Sequence, residues 1–307
     1  MIPLADRIAG APISWGVDGS PGWGHLLSSD RVLEEMAHIG LSATELGPDG
    51  FLGDTPEEAR ERASSVGLSV VGGFVPLLLH LAETRRQAAY ASRAIKTLSA
   101  CGSQVLVLGA VLDRRGYDRS ASLSDAHWET FDRNLKRLVA QAGEEGLEVA
   151  LHQHWGMAVE KPQHLERVLA NTDVSLCLDT GHMFLAGIDP LEVARSVPDR
   201  VAHVHLKDVE DSAASRVRAG EVPFREAVKS GLFQPLGAGD VDIRGVVTAL
   251  ENAGYQGWYV IEQDKVLLQS PPLGRGPVED ASISVAFLRD LARLVEDPSE
   301  TNGSPTN

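Results

Sequence analysis

The stretch His203-Val204-His205-Leu206-Lys207-Asp208 ends a short apolar run, and two similar stretches precede it in the chain. These are Leu151-His152-Gln153-His154 and Leu178-Asp179-Thr180-Gly181-His182. His152, Asp179 and His205 are 27 and 26 residues apart, about the length of one strand with its crossover helix. This spacing predicts that the three side chains end three consecutive strands of a parallel sheet.

Apolar runs alternate with helix-like stretches along the chain, which is typical of parallel strands joined by helices. The helical patterns include Arg31–Ile39, Pro56–Val66, Thr84–Ala100 and Asp125–Glu145. Eight runs have the character of strands: Ile8–Ile13, Ala43–Leu46, Leu68–Phe74, Val105–Leu108, Val149–His152, Val174–Asp179, Val201–His205 and Tyr259–Glu262. Together they predict the α/β class and a (β/α)8 TIM barrel in a single domain.

We place this domain over residues 1–296, and we expect the polar tail 297–307 to be disordered. No Gly-x-Gly-x-x-Gly motif follows the first strand, so a dinucleotide-binding fold is not expected. The connection from Val209 to Asp242 is unusually long and includes an amphipathic piece near Phe224–Lys229. Long connections after barrel strands usually help to build the substrate pocket.

Composition excludes several classes of protein. The 307 residues carry a formal charge of −15, which argues against a nucleic-acid partner because phosphate binding depends on clustered Lys and Arg. Cys101 and Cys177 both lie in apolar contexts and are expected to be reduced. Neither a signal peptide nor an apolar run long enough to span a membrane is visible. We therefore expect a cytoplasmic protein without a membrane or nucleic-acid partner.

The strand ends predict a metal site. In a parallel barrel the carboxyl ends of the strands meet at one rim, so we expect His152, Asp179, His205 and Glu262 to bind one divalent cation. Taken singly, Asp179 could cap a helix and His205 could be a core histidine, but all four fall at strand ends. Two imidazoles and two carboxylates without a thiolate suit Mn²⁺, Co²⁺, Fe²⁺, Zn²⁺ or Mg²⁺, and ligand type alone does not choose among them.

Further polar side chains are expected around the same rim. His154 shares a face with His152 because strand side chains alternate, and it could be another ligand or a general acid or base. Lys207 could stabilise an enolate or carbonyl oxygen, or form an ordinary salt bridge. Glu45 ends the second strand and is the carboxylate expected to face the pocket from the other side. Glu262 is a candidate base as well as a ligand.

Three residues are candidates for contacts with the substrate. His182, three residues after Asp179, could reach substrate hydroxyls. Trp15 follows the first apolar run and could stack on a sugar ring, although a core tryptophan fits the sequence nearly as well. Asp208 could orient a ligand or cap a loop.

These motifs together resemble the inosose dehydratases among the xylose isomerase-like sugar isomerase and epimerase barrels. The resemblance covers nearly the whole chain up to about residue 265. It is carried by Arg200–Val209, Val217–Phe233, Ala11-Pro12-Ile13, Leu178–His182 and Gly254–Trp258. The chain departs from the dehydratase pattern at His152-Gln153-His154, at Ser14–Asp18 and after Glu262, so its pocket is expected to be altered.

The resemblance implies a metal-dependent lyase that dehydrates a cyclic polyol ketone such as 2-keto-myo-inositol, in inositol catabolism. Elimination would proceed through an enolate stabilised by Mn²⁺ or Co²⁺, with Glu45, His154 or Glu262 removing the α-proton. A homo-oligomer is compatible with the resemblance.

Alternatives remain open at this point. A sugar or keto-inositol isomerase or 3-epimerase would use the same enolate and return a proton to it. A lyase acting on a 3-keto-glycoside would be a variant of the same elimination. An enzyme for abasic DNA is disfavoured by the charge of −15, and a non-catalytic sugar-binding barrel is disfavoured by the intact ligand set.

Overall fold

A computed structural model describes residues 2–113, 117–118 and 122–296 of the chain. Within this part, nine strands form one parallel sheet and two short strands form an antiparallel pair. The parallel strands are β1 Ile8–Gly10, β2 Ala43–Glu45, β3 Ser69–Gly72, β4 Phe74–Leu77, β5 Val105–Ala110, β6 Glu148–His152, β7 Ser175–Asp179, β8 Val201–Leu206 and β11 Tyr259–Ile261. The antiparallel pair is β9 Asp208–Val209 with β10 Phe233–Gln234.

The sheet closes on itself at Gly73. In spatial order its two ends are β3 and β4, which are consecutive in the chain and are separated only by this glycine. The carbonyl of Gly73 accepts a hydrogen bond from the Val107 amide, while the neighbouring carbonyl of Gly72 accepts one from Leu46. β3 and β4 thus act as one interrupted strand with partners on both sides. Eight strand positions result, which confirms the predicted (β/α)8 barrel.

Helices cover the outside of the barrel. Those in the described part are α1 Ser29–His38, α2 Pro56–Ser65, α3 Arg85–Ala100, α4 Asp125–Glu144, α5 Pro162–Asn171, α6 Thr180–Leu185, α7 Pro190–Ser196, α8 Asp211–Arg218, α9 Phe224–Lys229, α10 Ile243–Asn252 and α11 Pro277–Glu296. Capping chemistry explains where α2 begins, because Thr55 and Glu58 form reciprocal hydrogen bonds and Pro56 is the first helical residue. None of these helices is long and apolar enough to cross a membrane.

The first strand is shorter than predicted. It ends at Gly10, and Pro12–Trp15 form a 3₁₀ turn instead of continuing to Ile13. Proline has no amide hydrogen for a sheet ladder, so Pro12, two residues after the end of the strand, cannot continue the pairing. The expected tail 297–307 lies outside the described residues.

The long connection after β8 is folded. It contains α8, α9 and both strands of the antiparallel pair, of which only α9 was expected. The buried Asp208 carboxylate accepts hydrogen bonds from the backbone amides of Val209, Gly237, Gly239 and Val241 at 2.8 to 3.1 Å. One side chain therefore fixes both ends of this connection beside the rim of the barrel.

Candidate metal centre

The structure brings the four predicted ligands together. His152 and Asp179 end β6 and β7, His205 lies on β8, and Glu262 directly follows β11. One ligand atom from each lies within 4.8 Å of those from the other three. Oδ2 of Asp179 is 3.4 Å from Nε2 of His152, and Oε2 of Glu262 is 3.1 Å from Nδ1 of His205. The sequence spacing correctly placed these side chains at one rim.

Hydrogen bonds hold one nitrogen of each imidazole and direct the other towards the cluster. Nδ1 of His152 lies 2.7 Å from the carbonyl oxygen of Gln153, which can only accept, so the proton is on Nδ1 and Nε2 faces the other ligands. On His205, Nε2 is 2.9 Å from Oε1 of Glu45, and Nδ1 faces the cluster. Metal-binding histidines usually have their second nitrogen held in this way.

Asp179 uses its two oxygens for different purposes. Oδ1 accepts the His182 amide at 2.7 Å and thereby caps the start of α6. Oδ2 is buried in the cluster without a hydrogen bond, although Nζ of Lys207 lies 3.5 Å away. A buried carboxylate oxygen without a hydrogen bond is destabilising, and a divalent cation among these ligands would bind it directly. The residues present therefore fit a divalent metal.

Lys207 lies beside the cluster with its ammonium group buried among acids. Its Nζ is 2.8 Å from Oδ1 of Asp264 and 2.9 Å from Oε2 of Glu262. Burial alone would lower the pKa of Lys207, but the carboxylates of Asp179, Asp264 and Glu262 outweigh it and hold this pKa well above its ordinary value. Gly181 makes room for the lysine stem, since a Cβ there would lie 2.7 Å from Cγ of Lys207.

A cavity of about 750 Å³ opens over these residues. The predicted catalytic side chains all line it: Glu45, His154, Lys207 and Glu262. Nδ1 of His154 is 2.6 Å from the carbonyl oxygen of Trp155, so this nitrogen carries the proton and Nε2 is left to accept one. Burial, with the neighbouring His152 and Lys207, holds the pKa of His154 well below its ordinary value.

Two histidines fix the carboxylate of Glu45. Its Oε1 lies 2.9 Å from Nε2 of both His203 and His205. Burial would raise the pKa of Glu45, but the two histidines together hold it below the ordinary value. Glu45 thus orients His205, and His203 contacts the same carboxylate oxygen.

The three expected substrate contacts are not at the cavity surface. Trp15 is completely buried, and its indole N–H donates to Oε2 of Glu35 at 2.9 Å, so it is a core tryptophan. Asp208 is occupied by the backbone amides of the long connection. His182 is buried behind the cavity wall, with its ring centroid 3.6 Å from that of His154 and Nε2 3.1 Å from Nζ of Lys207.

Asp264 and Tyr117 line the cavity and were not predicted as site residues. Asp264 follows Glu262 by two positions, so strand alternation could have found it. Burial raises its pKa to about 6, although the Lys207 ammonium opposes the shift. Tyr117 lies between β5 and α4, where the sequence has no strand-end signal, and its ring centroid is 4.7 Å from that of His154.

Comparisons with known proteins identify relatives of this barrel. The profile of a family described as Xylose isomerase-like TIM barrel matches residues 33–291. An inosose dehydratase of Geobacillus thermodenitrificans (strain NG80-2) is 30% identical over 295 residues, covering 92% of this chain and 96% of that protein. Two solved structures share the fold at 15% identity. L-ribulose 3-epimerase has a TM-score of 0.69, and the match covers 98% of this chain and 99% of the epimerase. The IOLI protein with a binding zinc atom has a TM-score of 0.64, and the match covers 93% of this chain and 98% of the IOLI protein.

The family profile spans most of the chain, and the dehydratase covers nearly all of it. This relationship confirms the expected resemblance and the expectation of an enzyme, since the relative is a lyase. The structural matches support the same barrel architecture. The chain belongs to the xylose isomerase-like TIM barrel family.

Proposed function

We propose that this enzyme catalyses the metal-dependent dehydration of a cyclic polyol ketone, with 2-keto-myo-inositol as the reference substrate. The observation that carries the proposal is the convergence of His152, Asp179, His205 and Glu262 beneath a cavity. The name of the 30% identical relative supplies the substrate class. Mn²⁺ or Co²⁺ is the proposed cation, and imidazole and carboxylate ligands are compatible with both.

A divalent cation bound by these residues would supply a Lewis acid that polarises a ketone and stabilises the enolate. His154 is assigned to removal of the α-proton, because Nε2 is its accepting nitrogen and the side chain lines the cavity. Lys207 is assigned to donate a proton to the β-hydroxyl so that it leaves as water, because its ammonium group donates hydrogen bonds at the same wall. Glu45 keeps His205 in the orientation that the ligand cluster requires.

Epimerisation is the second candidate. The cavity carries His154 together with the Lys207–Asp264 pair, so more than one group could exchange protons with an enolate. An enzyme that returned a proton to the opposite face of the same carbon would need no further ligand. This reaction would conserve the mass of the substrate.

Product analysis tests both proposals. Protein loaded with Mn²⁺ or Co²⁺ is incubated with 2-keto-myo-inositol in D₂O, and product mass is followed with diketone absorbance. Loss of one water, abolished by Asp179→Asn, supports dehydration. Deuterium incorporation without loss of water would contradict dehydration and support epimerisation. If neither water is lost nor deuterium incorporated, the proposed substrate is wrong.

We also propose that the enzyme works in the cytoplasm. Cys101 and Cys177 are both unpaired, and Cys177 lies buried near the ligands. A reducing compartment preserves such thiols. Fractionation of the source cells, with detection of the intact protein, tests this location.

A further inference from the structure

The cavity is larger than a single polyol ring requires. Its volume of about 750 Å³ falls in the upper part of the range of about 300 to 1,000 Å³ that holds drug-sized ligands. A six-membered polyol ketone at the ligand cluster would fill only the inner part. The outer part of the cavity wall is therefore expected to contact a further group of the substrate.

One side of the outer wall is an apolar stripe. Phe74, Pro76 and Leu78 alternate along β4 and the segment after it, and all three line the cavity. The Phe74 ring centroid is 6.0 Å from that of His152, so the stripe begins at the ligand cluster. Leu78 is four residues further along, about 13 Å for an extended chain. The stripe leads from the metal centre towards the opening.

Other apolar side chains also line the cavity, among charged ones such as Arg86 and Arg93. Tyr90 on α3, Leu112 after β5 and Ile13 after β1 line the cavity and are only partly buried. A free cyclitol has oxygen on every ring carbon and would leave these surfaces facing water or unmatched hydroxyls. Binding becomes more favourable when an apolar group of the ligand covers such apolar surface and removes it from water.

We propose that the natural substrate is a polyol ketone joined to an apolar, preferably aromatic, substituent. The ketone ring lies at the ligand cluster, and the substituent lies against the Phe74–Leu78 stripe and Tyr90. The position of the ring rests on the proposed function. The apolar outer subsite rests on the cavity alone.

Direct binding separates the subsite from turnover. Phenyl β-D-glucopyranoside and methyl β-D-glucopyranoside differ only in the aglycone, and calorimetry with the Mn²⁺-loaded protein measures both. We expect the phenyl compound to bind at least about tenfold more tightly, because a phenyl ring buries more apolar surface than a methyl group. Equal affinities, or no binding of either at millimolar concentration, would overturn the proposal.

A pair of variants locates the effect. Leu78→Asn should reduce the phenyl-to-methyl affinity ratio at least about fivefold, because it places an amide in the outer wall. Leu81→Asn is the matched control: Leu81 is 42% exposed, is not among the cavity-lining residues and should leave the ratio unchanged. A ratio that both variants lower equally would contradict the subsite, and circular dichroism verifies that each variant is folded.

The two proposals can fail separately. Turnover of 2-keto-myo-inositol without any preference for the phenyl compound would leave the proposed function intact and remove the subsite. The opposite outcome is a phenyl preference that Leu78→Asn abolishes, together with no turnover of 2-keto-myo-inositol. It would support the subsite and contradict the reference substrate.

Discussion

Glu45 and His205 are joined by a 2.9 Å hydrogen bond from Nε2 to Oε1, although they lie on β2 and β8. The bond fixes which nitrogen of His205 faces the other ligands. We expect Glu45→Gln to weaken Mn²⁺ binding about 10- to 100-fold, as loss of such a partner typically does. Competition with a fluorescent chelator measures the affinity. Glu226→Gln, on the exposed side of α9, is the control, and an unchanged affinity for Glu45→Gln would refute the orienting role.

Asp179→Asn should separate the two functions of this side chain. Asparagine is as good a helix cap as aspartate, but it lacks the charge that faces the buried Lys207 ammonium at 3.5 Å, so the metal-free variant should be less stable than the wild type by more than about 1 kcal/mol. Loss of the charged Oδ2 should remove most of the metal affinity. Thermal unfolding with EDTA and with Mn²⁺ measures both effects, because a bound ligand raises the midpoint. Equal stabilisation of variant and wild type by Mn²⁺ would contradict the assigned ligand.

Asp208→Ala should destabilise the connection between β8 and α10. It leaves four backbone amides without their carboxylate acceptor, and we expect a loss of about 3 kcal/mol in the free energy of unfolding. Urea unfolding measures it. Asp199→Ala, at an exposed position, should change this free energy by less than about 0.5 kcal/mol. Similar losses in the two variants would show that the amides are satisfied in another way.

Trp15→Phe tests whether this indole serves the core or the substrate. Removing the indole N–H leaves Oε2 of Glu35 without this donor, so we expect about 1 to 3 kcal/mol of destabilisation. KM should stay within about twofold, because Trp15 is completely buried. A tenfold rise in KM with unchanged stability would restore the stacking role. Chemical unfolding and steady-state kinetics on the same preparation distinguish these outcomes.

Cys177 should be inert in the folded protein. Burial raises the pKa of its thiol to about 11, although the nearby His205 opposes the shift. At pH 8 only about one thiol in a thousand would then be ionised. Iodoacetamide followed by mass spectrometry should modify Cys101, which is partly exposed, and should modify Cys177 only in urea. Rapid native labelling of Cys177 would indicate a more open barrel interior.

The sequence predicted the residues whose position follows from strand register. His152, Asp179, His205 and Glu262 were found because the spacing of parallel strands brings their ends to one rim. The same reasoning could have extended to Asp264 by alternation. It failed for Trp15, because Pro12 ends the first strand early and the 3₁₀ turn directs the indole into the core.

Contacts between distant segments were beyond sequence reasoning. Tyr117 reaches His154 from a connection without regular periodicity. Asp208 had two interpretations because its partners lie about thirty residues later, at Gly237 to Val241. Whether a polar residue at a strand end faces a cavity or supports a loop depends on packing that a single sequence does not encode locally.

The shared use of Asp179 has a consequence for engineering. One carboxylate begins α6 with Oδ1 and faces the ligand cluster with Oδ2, so displacement of the helix start also displaces a ligand atom. Met183 and Leu185 fix α6 through fully buried side chains. Repacking these two positions would therefore shift a candidate ligand atom while every candidate ligand and the whole cavity wall stay unchanged in sequence.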